Sequence, residues 1–141
     1  MKRNEFLSTF GISASTILFA PFLVSCGKNS AALGSGGGSV DFTLDLTQPA
    51  NSALNTNGGF VYNGGNGVIV ARTSTGSYIA VSFTCTHQGS TVVYEGGSNL
   101  FYCQTHGSEF SSNGSVLRGP AAAPLTQYKT QLTGTSLRVY A

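Results

Sequence analysis

The sequence predicts an all-β domain, an antiparallel sandwich or barrel, over residues 40–141. The first observation is a period of two in Val40, Phe42, Leu44 and Leu46, which places these side chains on one face of a strand. The second is a series of short apolar runs at 59–62, 67–72, 78–85, 91–94 and 100–103. Two final strand-like runs follow, one before and one after residues 132–135. The third is that no convincing amphipathic helix follows residue 40.

Turn residues separate these runs. Asn63-Gly64, Asn66-Gly67 and Asn113-Gly114 are dipeptides that accept positive φ, and Gly134 lies between the last two runs. Short strands joined at such close spacing are typical of sandwiches and barrels.

The composition bounds the class of protein. The chain has 141 residues, of which 40% are hydrophobic and 9% charged, so it is unlike a disordered segment of low hydrophobicity and high net charge. Its length fits about one domain of ~100–150 residues. Beyond residue 26 there are five basic and four acidic residues, and the basic ones are scattered. Without a basic patch to bind phosphates, nucleic acid is not an expected partner.

The first 25 residues are interpreted as a secretory signal peptide. Lys2 and Arg3 precede an uncharged, largely apolar segment over 6–24. The segment ends in Leu23-Val24-Ser25-Cys26, which resembles the lipobox of bacterial lipoproteins and implies that Cys26 is acylated. An uncleaved membrane helix is the alternative, although Gly11 and Pro21 make a poor helix. We therefore expect an exported protein that is lipid-anchored in the bacterial cell envelope.

The residues after the lipobox form a second segment. Residues 26–39 comprise the lipidated Cys26 and a run rich in Gly and Ser, which predicts a flexible tether. The expected organisation is thus a signal peptide over 1–25, a tether over 26–39 and one β domain over 40–141.

Both histidines of the chain lie beside cysteines. The two boxes are Cys85-Thr86-His87-Gln88-Gly89-Ser90 and Cys103-Gln104-Thr105-His106-Gly107-Ser108-Glu109-Phe110. In each box a thiol and an imidazole stand one or two residues apart at the end of a strand-like run. A glycine follows, which lets the backbone turn closely around a bound group.

Two thiolates and two neutral imidazoles make a four-ligand metal site. Such a set could hold one tetrahedral zinc, which would make this a structural zinc-binding β domain. The repeated order of Cys then His suits a diiron cluster better, with both thiolates on one iron and both imidazoles on the other. A disulfide between Cys85 and Cys103 is a third reading, but it leaves the two histidines unexplained.

The two boxes resemble those of Rieske 2Fe-2S proteins. Residues 118–125, with Gly119 and Pro120, resemble the family's third feature, a proline-containing loop that packs over the cluster. The resemblance implies a Rieske-like fold with a small cluster-binding subdomain and a Rieske-type 2Fe-2S cluster. It also implies Cys85 and Cys103 on the inner iron, with His87 and His106 on the solvent-side iron.

The chain departs from the respiratory members of that family at three positions. Many of them carry one more cysteine in each box, and these two cysteines form a disulfide. Here the matching residues are Ser90 and Thr105, so we expect ligation, loop packing and backbone hydrogen bonds alone to hold the cluster. Ser108 matches a serine that donates to a bridging sulfide. Phe110 replaces a tyrosine that often donates to a cysteine sulfur, which predicts a lower reduction potential.

The expected function is single-electron transfer rather than complete enzyme catalysis, since no substrate pocket or nucleophile is evident. The expected partner is a quinol or an electron donor or acceptor protein at the membrane. One version is the iron–sulfur subunit of a quinol-oxidising complex with a cytochrome b. The other is the redox partner of another membrane-associated oxidoreductase, which a lipid anchor in place of a membrane helix slightly favours.

Overall fold

The computed structural model describes residues 39–141, which form two antiparallel sheets. The strands are β1 Asp41–Asp45, β2 Phe60–Asn63, β3 Val68–Arg72, β4 Tyr78–Ser82, β5 Val92–Glu95, β6 Leu100–Cys103, β7 Glu109–Ser111, β8 Val116–Arg118, β9 Gln127–Thr133 and β10 Ser136–Tyr140, with a 3₁₀ helix at Pro49–Asn55. The signal peptide, Cys26 and nearly all of the tether lie outside the described residues. No helix in the part described has the length and apolar character needed to span a membrane.

The larger sheet has six strands in the order β1-β10-β9-β4-β3-β2. Its strand β3, which lies between β4 and the edge strand β2, is apolar from Val68 to Ala71, and all four of these residues are buried. Because successive side chains point to opposite faces, Val68 and Val70 enter one core cluster, whereas Ile69 and Ala71 enter the other. The sheet therefore has a core on each face.

The smaller sheet has four strands in the order β5-β6-β7-β8. It packs on the core that contains Ile69 and Ala71, which also includes Phe101, Phe110 and both cysteines of the Cys-His boxes. The core that contains Val68 and Val70 lies on the opposite face of β3 and includes Leu54 of the 3₁₀ helix and Leu137 and Val139 of β10. The predicted metal ligands thus lie at the junction between the small sheet and the large one.

The all-β prediction is confirmed, and its strands lie close to the predicted runs. The run at 78–85 ends as a strand at Ser82, because the chain then leaves β3 and crosses toward the small sheet. There the backbone N–H of Val92 donates to the carbonyl of Phe83 at 2.8 Å. The short strands β7 and β8 and the 3₁₀ helix had no counterpart among the predicted runs.

Candidate metal centre

The first box forms a tight turn after β4. The backbone N–H of Cys85 donates to the carbonyl of Ser90 at 2.7 Å, and that of Gly89 donates to the carbonyl of Cys85 at 2.9 Å. Gly89 has φ of 77°, in the region that favours glycine. The turn projects His87 two residues after the cysteine.

The second box repeats this turn after β6. The N–H of Cys103 donates to the carbonyl of Ser108, and that of Gly107 donates to the carbonyl of Cys103, both at 2.8 Å. Gly107 has φ of 79°. Here the histidine, His106, stands three residues after the cysteine rather than two. The repeat of one backbone turn explains why both boxes carry a glycine four residues after the cysteine.

The two cysteines are buried and close to each other. Cys85 and Cys103 are 1% and 0% exposed, and neither forms a disulfide. Burial raises the pKa of the Cys85 thiol, and the adjacent Cys103 thiol acts in the same direction. The backbone N–H of His87 and the hydroxyl of Ser108 oppose this rise by donating hydrogen bonds to the Cys85 sulfur. These donors are placed to stabilise a thiolate.

The two imidazoles meet at the tip of the turns. The ring centroids of His87 and His106 are 4.7 Å apart, and the rings are nearly perpendicular at 85°. The Nδ1 atom of each ring is buried and has no hydrogen-bond partner, although each ring as a whole is partly exposed. A buried polar atom without a partner is rare in native proteins and needs an explanation. Metal ligation through Nδ1 explains both atoms at once.

A third loop closes over the two turns. It follows β8 and contains the cis peptide bond Gly119–Pro120. The backbone N–H of Ala121 donates to the hydroxyl oxygen of Ser108 at 3.0 Å. The hydroxyl of Thr86 donates to the carbonyl of Ala123 at 2.5 Å. Each Cys-His turn is therefore tied to the proline-containing loop by one hydrogen bond.

The two Cys-His turns and the third loop carry no charged side chains. Residues 84–90, 103–108 and 119–126 include no Asp, Glu, Lys or Arg. The nearest charged side chains in sequence, Glu109 and Arg118, pair with each other at 3.3 Å on adjacent strands.

Comparison with known proteins identifies the family. The model of the Rieske [2Fe-2S] domain matches residues 49–129 of the chain. The chain belongs to the Rieske [2Fe-2S] domain family. The prediction from the two boxes is confirmed, and the cofactor that this membership assigns is a Rieske-type 2Fe-2S cluster rather than a single zinc.

Individual relatives support this membership. The cytochrome b6-f complex iron-sulfur subunit of Chlorobaculum thiosulfatiphilum is 37% identical over 62 residues, which cover 44% of this chain and 34% of the relative. The subunit of that name from Prochlorococcus marinus (strain MIT 9515) is 29% identical, covering 89% and 76%. The matches to three such subunits, from Chlorobaculum and Synechococcus, span only 31–46% of those proteins.

Solved structures support the fold. The crystal structure of the cyanobacterial plasma membrane Rieske protein PetC3 from Synechocystis PCC 6803 aligns with a TM-score of 0.55 at 35% identity, covering 64% of this chain and 93% of that one. The ferredoxin of carbazole 1,9a-dioxygenase from Nocardioides aromaticivorans IC177 aligns with a TM-score of 0.52 at 24% identity, covering 73% and 97%. The second likeness concerns the fold alone.

The donor set of this Rieske domain fits a two-iron cluster. The set comprises two buried free thiols and two buried, unpartnered Nδ1 atoms. A Rieske centre needs two sulfur ligands on one iron and two nitrogen ligands on the other. In the described residues no three His, Cys, Asp or Glu side chains are arranged around a single metal ion. Cys85, Cys103, His87 and His106 therefore remain the predicted ligands.

The structure also places the residues that were expected to surround the ligands. Ser108 is fully buried, and its hydroxyl is within hydrogen-bonding reach of the Cys85 sulfur. Phe110 is fully buried in the hydrophobic core that contains both cysteines. The sequence reasoning gave no role to Thr86, whose hydroxyl ties the first turn to the third loop. Its position between two predicted ligands was the signal that could have identified it.

Proposed function

We propose that the chain is a single-electron carrier, exported and held at a membrane by an acylated Cys26. One observation supports the electron-transfer part of this proposal. A member of the Rieske family carries two unpartnered, buried Nδ1 atoms, on His87 and His106, and two cysteine thiols that are at most 1% exposed. The lipobox over Leu23–Cys26 supports the anchoring part. Acylation by two or more chains would give stable membrane attachment.

A bound Rieske cluster supplies reversible one-electron chemistry. The residues of this chain would divide the remaining tasks between two sides. Cys85 and Cys103 lie in the core, where burial excludes water from the sulfur ligands. His87 and His106 are partly exposed, and since their Nδ1 atoms are buried, the exposed part of each ring faces away from the metal side. An electron donor or acceptor would approach over these rings.

The partner we favour is a quinol-oxidising complex that contains a cytochrome b. The support is that relatives of the chain are named as iron-sulfur subunits of the cytochrome b6-f complex. The second version, a redox partner of another membrane-associated oxidoreductase, is the outcome if no cytochrome b complex reacts. Purified protein should accept electrons from a quinol only when a cytochrome b partner is present. Direct reduction by a different oxidoreductase, with no response to the cytochrome b complex, would select the second version.

The cluster itself is tested by electron paramagnetic resonance of the dithionite-reduced protein. We expect a signal with a low average g-value, together with iron and labile sulfide in the isolated protein. The variant His106→Gln should lose this signal, whereas Gln104→Ala, an exposed change in the same turn, should keep it. Colourless protein that contains zinc and lacks iron after reconstitution would establish the structural zinc domain instead.

The anchor is tested separately by metabolic labelling with a radioactive fatty acid. The full chain should incorporate the label and fractionate with membranes, and Cys26→Ser should do neither. Equal labelling of the two proteins would contradict acylation at Cys26, without bearing on the cluster.

A further inference from the structure

The first Cys-His turn is closed at its base by a short neck. The chain enters the turn after Phe83 and leaves it at Val92. The backbone N–H of Val92 donates to the carbonyl of Phe83 at 2.8 Å, and Thr84 and Thr91 form a single antiparallel bridge. Cys85 and the rest of the first turn lie between these positions.

Tyr62 contacts both sides of the neck. Its hydroxyl donates to the carbonyl of Val92 at 2.9 Å. Its ring packs edge-on against Phe83, with the centroids 5.7 Å apart and the planes at 85°. Tyr62 belongs to β2, the edge strand of the large sheet, so these two contacts join the sheets at the entry and the exit of the turn.

The hydroxyl of Tyr62 donates to the carbonyl of Val92, which accepts no hydrogen bond from the neighbouring strand β6. Val92 begins β5, the edge strand of the small sheet, and it is fully buried. Its partner across the ladder is Cys103. The N–H of Cys103 bonds away from β5, to Ser108, so this is a pair without mutual hydrogen bonds and the Val92 carbonyl points outward from the sheet. Without Tyr62 this buried acceptor would have no partner among the described residues.

The neck reaches both predicted sulfur ligands. Phe83 lies two residues before Cys85 in the chain, and Val92 lies directly opposite Cys103 in the ladder. A shift of Phe83 relative to Val92 would therefore move the two sulfurs with respect to each other.

We propose that Tyr62 is a positioning residue for the cluster, holding the neck of the first turn so that Cys85 and Cys103 keep their mutual geometry; this rests on the ligand set proposed above. Tyr62 is not one of the predicted ligands. Its action passes through Phe83 and Val92.

The test compares Tyr62→Phe with a matched control, Tyr94→Phe. Tyr94 lies on β5, two residues after Val92, and its hydroxyl donates one hydrogen bond, to Asn99 at 2.6 Å. Burial raises the pKa of both phenols. Each variant loses one hydroxyl and keeps its ring, but only Tyr62→Phe removes a hydrogen bond to the neck.

Two readouts follow local opening and ligand geometry in the cluster-loaded protein. Hydrogen exchange of the peptide that covers 84–91 reports opening of the turn. We expect Tyr62→Phe to accelerate it about tenfold, the factor expected when a buried acceptor is left without a partner. The electron paramagnetic resonance line shape of the reduced cluster should broaden or shift. Tyr94→Phe should leave both readouts at their wild-type values.

Equal behaviour of the two variants, whether both are altered or both unchanged, would overturn the positioning role. Faster exchange in Tyr62→Phe with an unchanged line shape would reduce Tyr62 to a structural residue and would also overturn it. Failure of the ligand set is distinguishable, because the wild-type protein would then lack a Rieske signal.

Discussion

Replacing Ser108 by alanine tests how the chain sets the reduction potential of its cluster. Ser108 is fully buried, and its hydroxyl oxygen accepts a hydrogen bond from the N–H of Ala121 at 3.0 Å. A hydroxyl has one proton to donate. The same hydroxyl acts on the Cys85 thiol as a hydrogen-bond donor that opposes the rise in its pKa. The third loop is thus hydrogen-bonded to a donor that acts on a predicted ligand.

The expected effect of Ser108→Ala is a lower midpoint potential. Electron uptake adds negative charge, so a donor to sulfur stabilises the reduced state more than the oxidised one. Hydrogen bonds to charged groups contribute about 1.5–3 kcal/mol, of which only the difference between the two states counts. A difference of about 1–1.5 kcal/mol corresponds to a fall of roughly 40–60 mV for one electron.

The variant should also lose stability. The N–H of Ala121, which is buried, would be left without its acceptor, at a cost of about 1–3 kcal/mol. This loss is separable from the potential, because it is measured by denaturant unfolding rather than by voltammetry.

Protein-film voltammetry of Ser108→Ala against Ser90→Ala is the decisive measurement. Ser90 ends the first turn as Ser108 ends the second, and its side chain makes no hydrogen bond with the described residues. Ser90→Ala should keep the wild-type potential. An unchanged or higher potential in Ser108→Ala, with full iron content, would refute the assignment of this hydroxyl as a donor to sulfur.

Three further changes test the loops around the ligands. Thr86→Val should remove the hydrogen bond to the third loop, lower the free energy of unfolding by about 1 kcal/mol and speed iron release. The control is Thr105→Val, a change of an exposed residue in the other turn. Ser90→Cys combined with Thr105→Cys should form a disulfide detectable by mass, and two free thiols after oxidation would show that the boxes are misaligned. Gly114→Ala should cost more than about 2 kcal/mol in a urea titration, because φ is 85° and its Cβ would lie 2.7 Å from the Leu125 carbonyl oxygen; wild-type stability would contradict this.

The fold was predictable to the extent that its signals are local. The alternation of Val40 to Leu46 predicts β1, and the buried run in β3 is apolar throughout because both faces of that strand are covered. The three-residue strands β7 and β8 carry too few residues to show a period, and they exist because each pairs with a neighbour. The 3₁₀ helix begins at Pro49 and has one buried residue, Leu54, so it presents no helical stripe.

The metal ligands were also predictable because their signal is local. The hydrogen bonds that hold the ligand-bearing turns in place were not predictable from the sequence. Each box is a self-contained turn, with the cysteine and a glycine four residues later in one hydrogen-bonded loop. The bond from Thr86 to Ala123 spans 37 residues, and that from Tyr62 to Val92 spans 30. Such contacts depend on how the two sheets pack, which no short motif encodes.

These supports explain how a Rieske domain can hold its turns without the disulfide found in many respiratory members. Both cysteines that the structure describes are predicted ligands, so no thiol among them is left to form a brace. The first turn is tied to the third loop through Thr86, and the second through Ser108. Reductants do not break these hydrogen bonds. The bonds form only when the backbone of the third loop is correctly placed. Loss of the cluster should therefore follow from changes in loop packing, and not from reducing conditions that would cleave a disulfide brace.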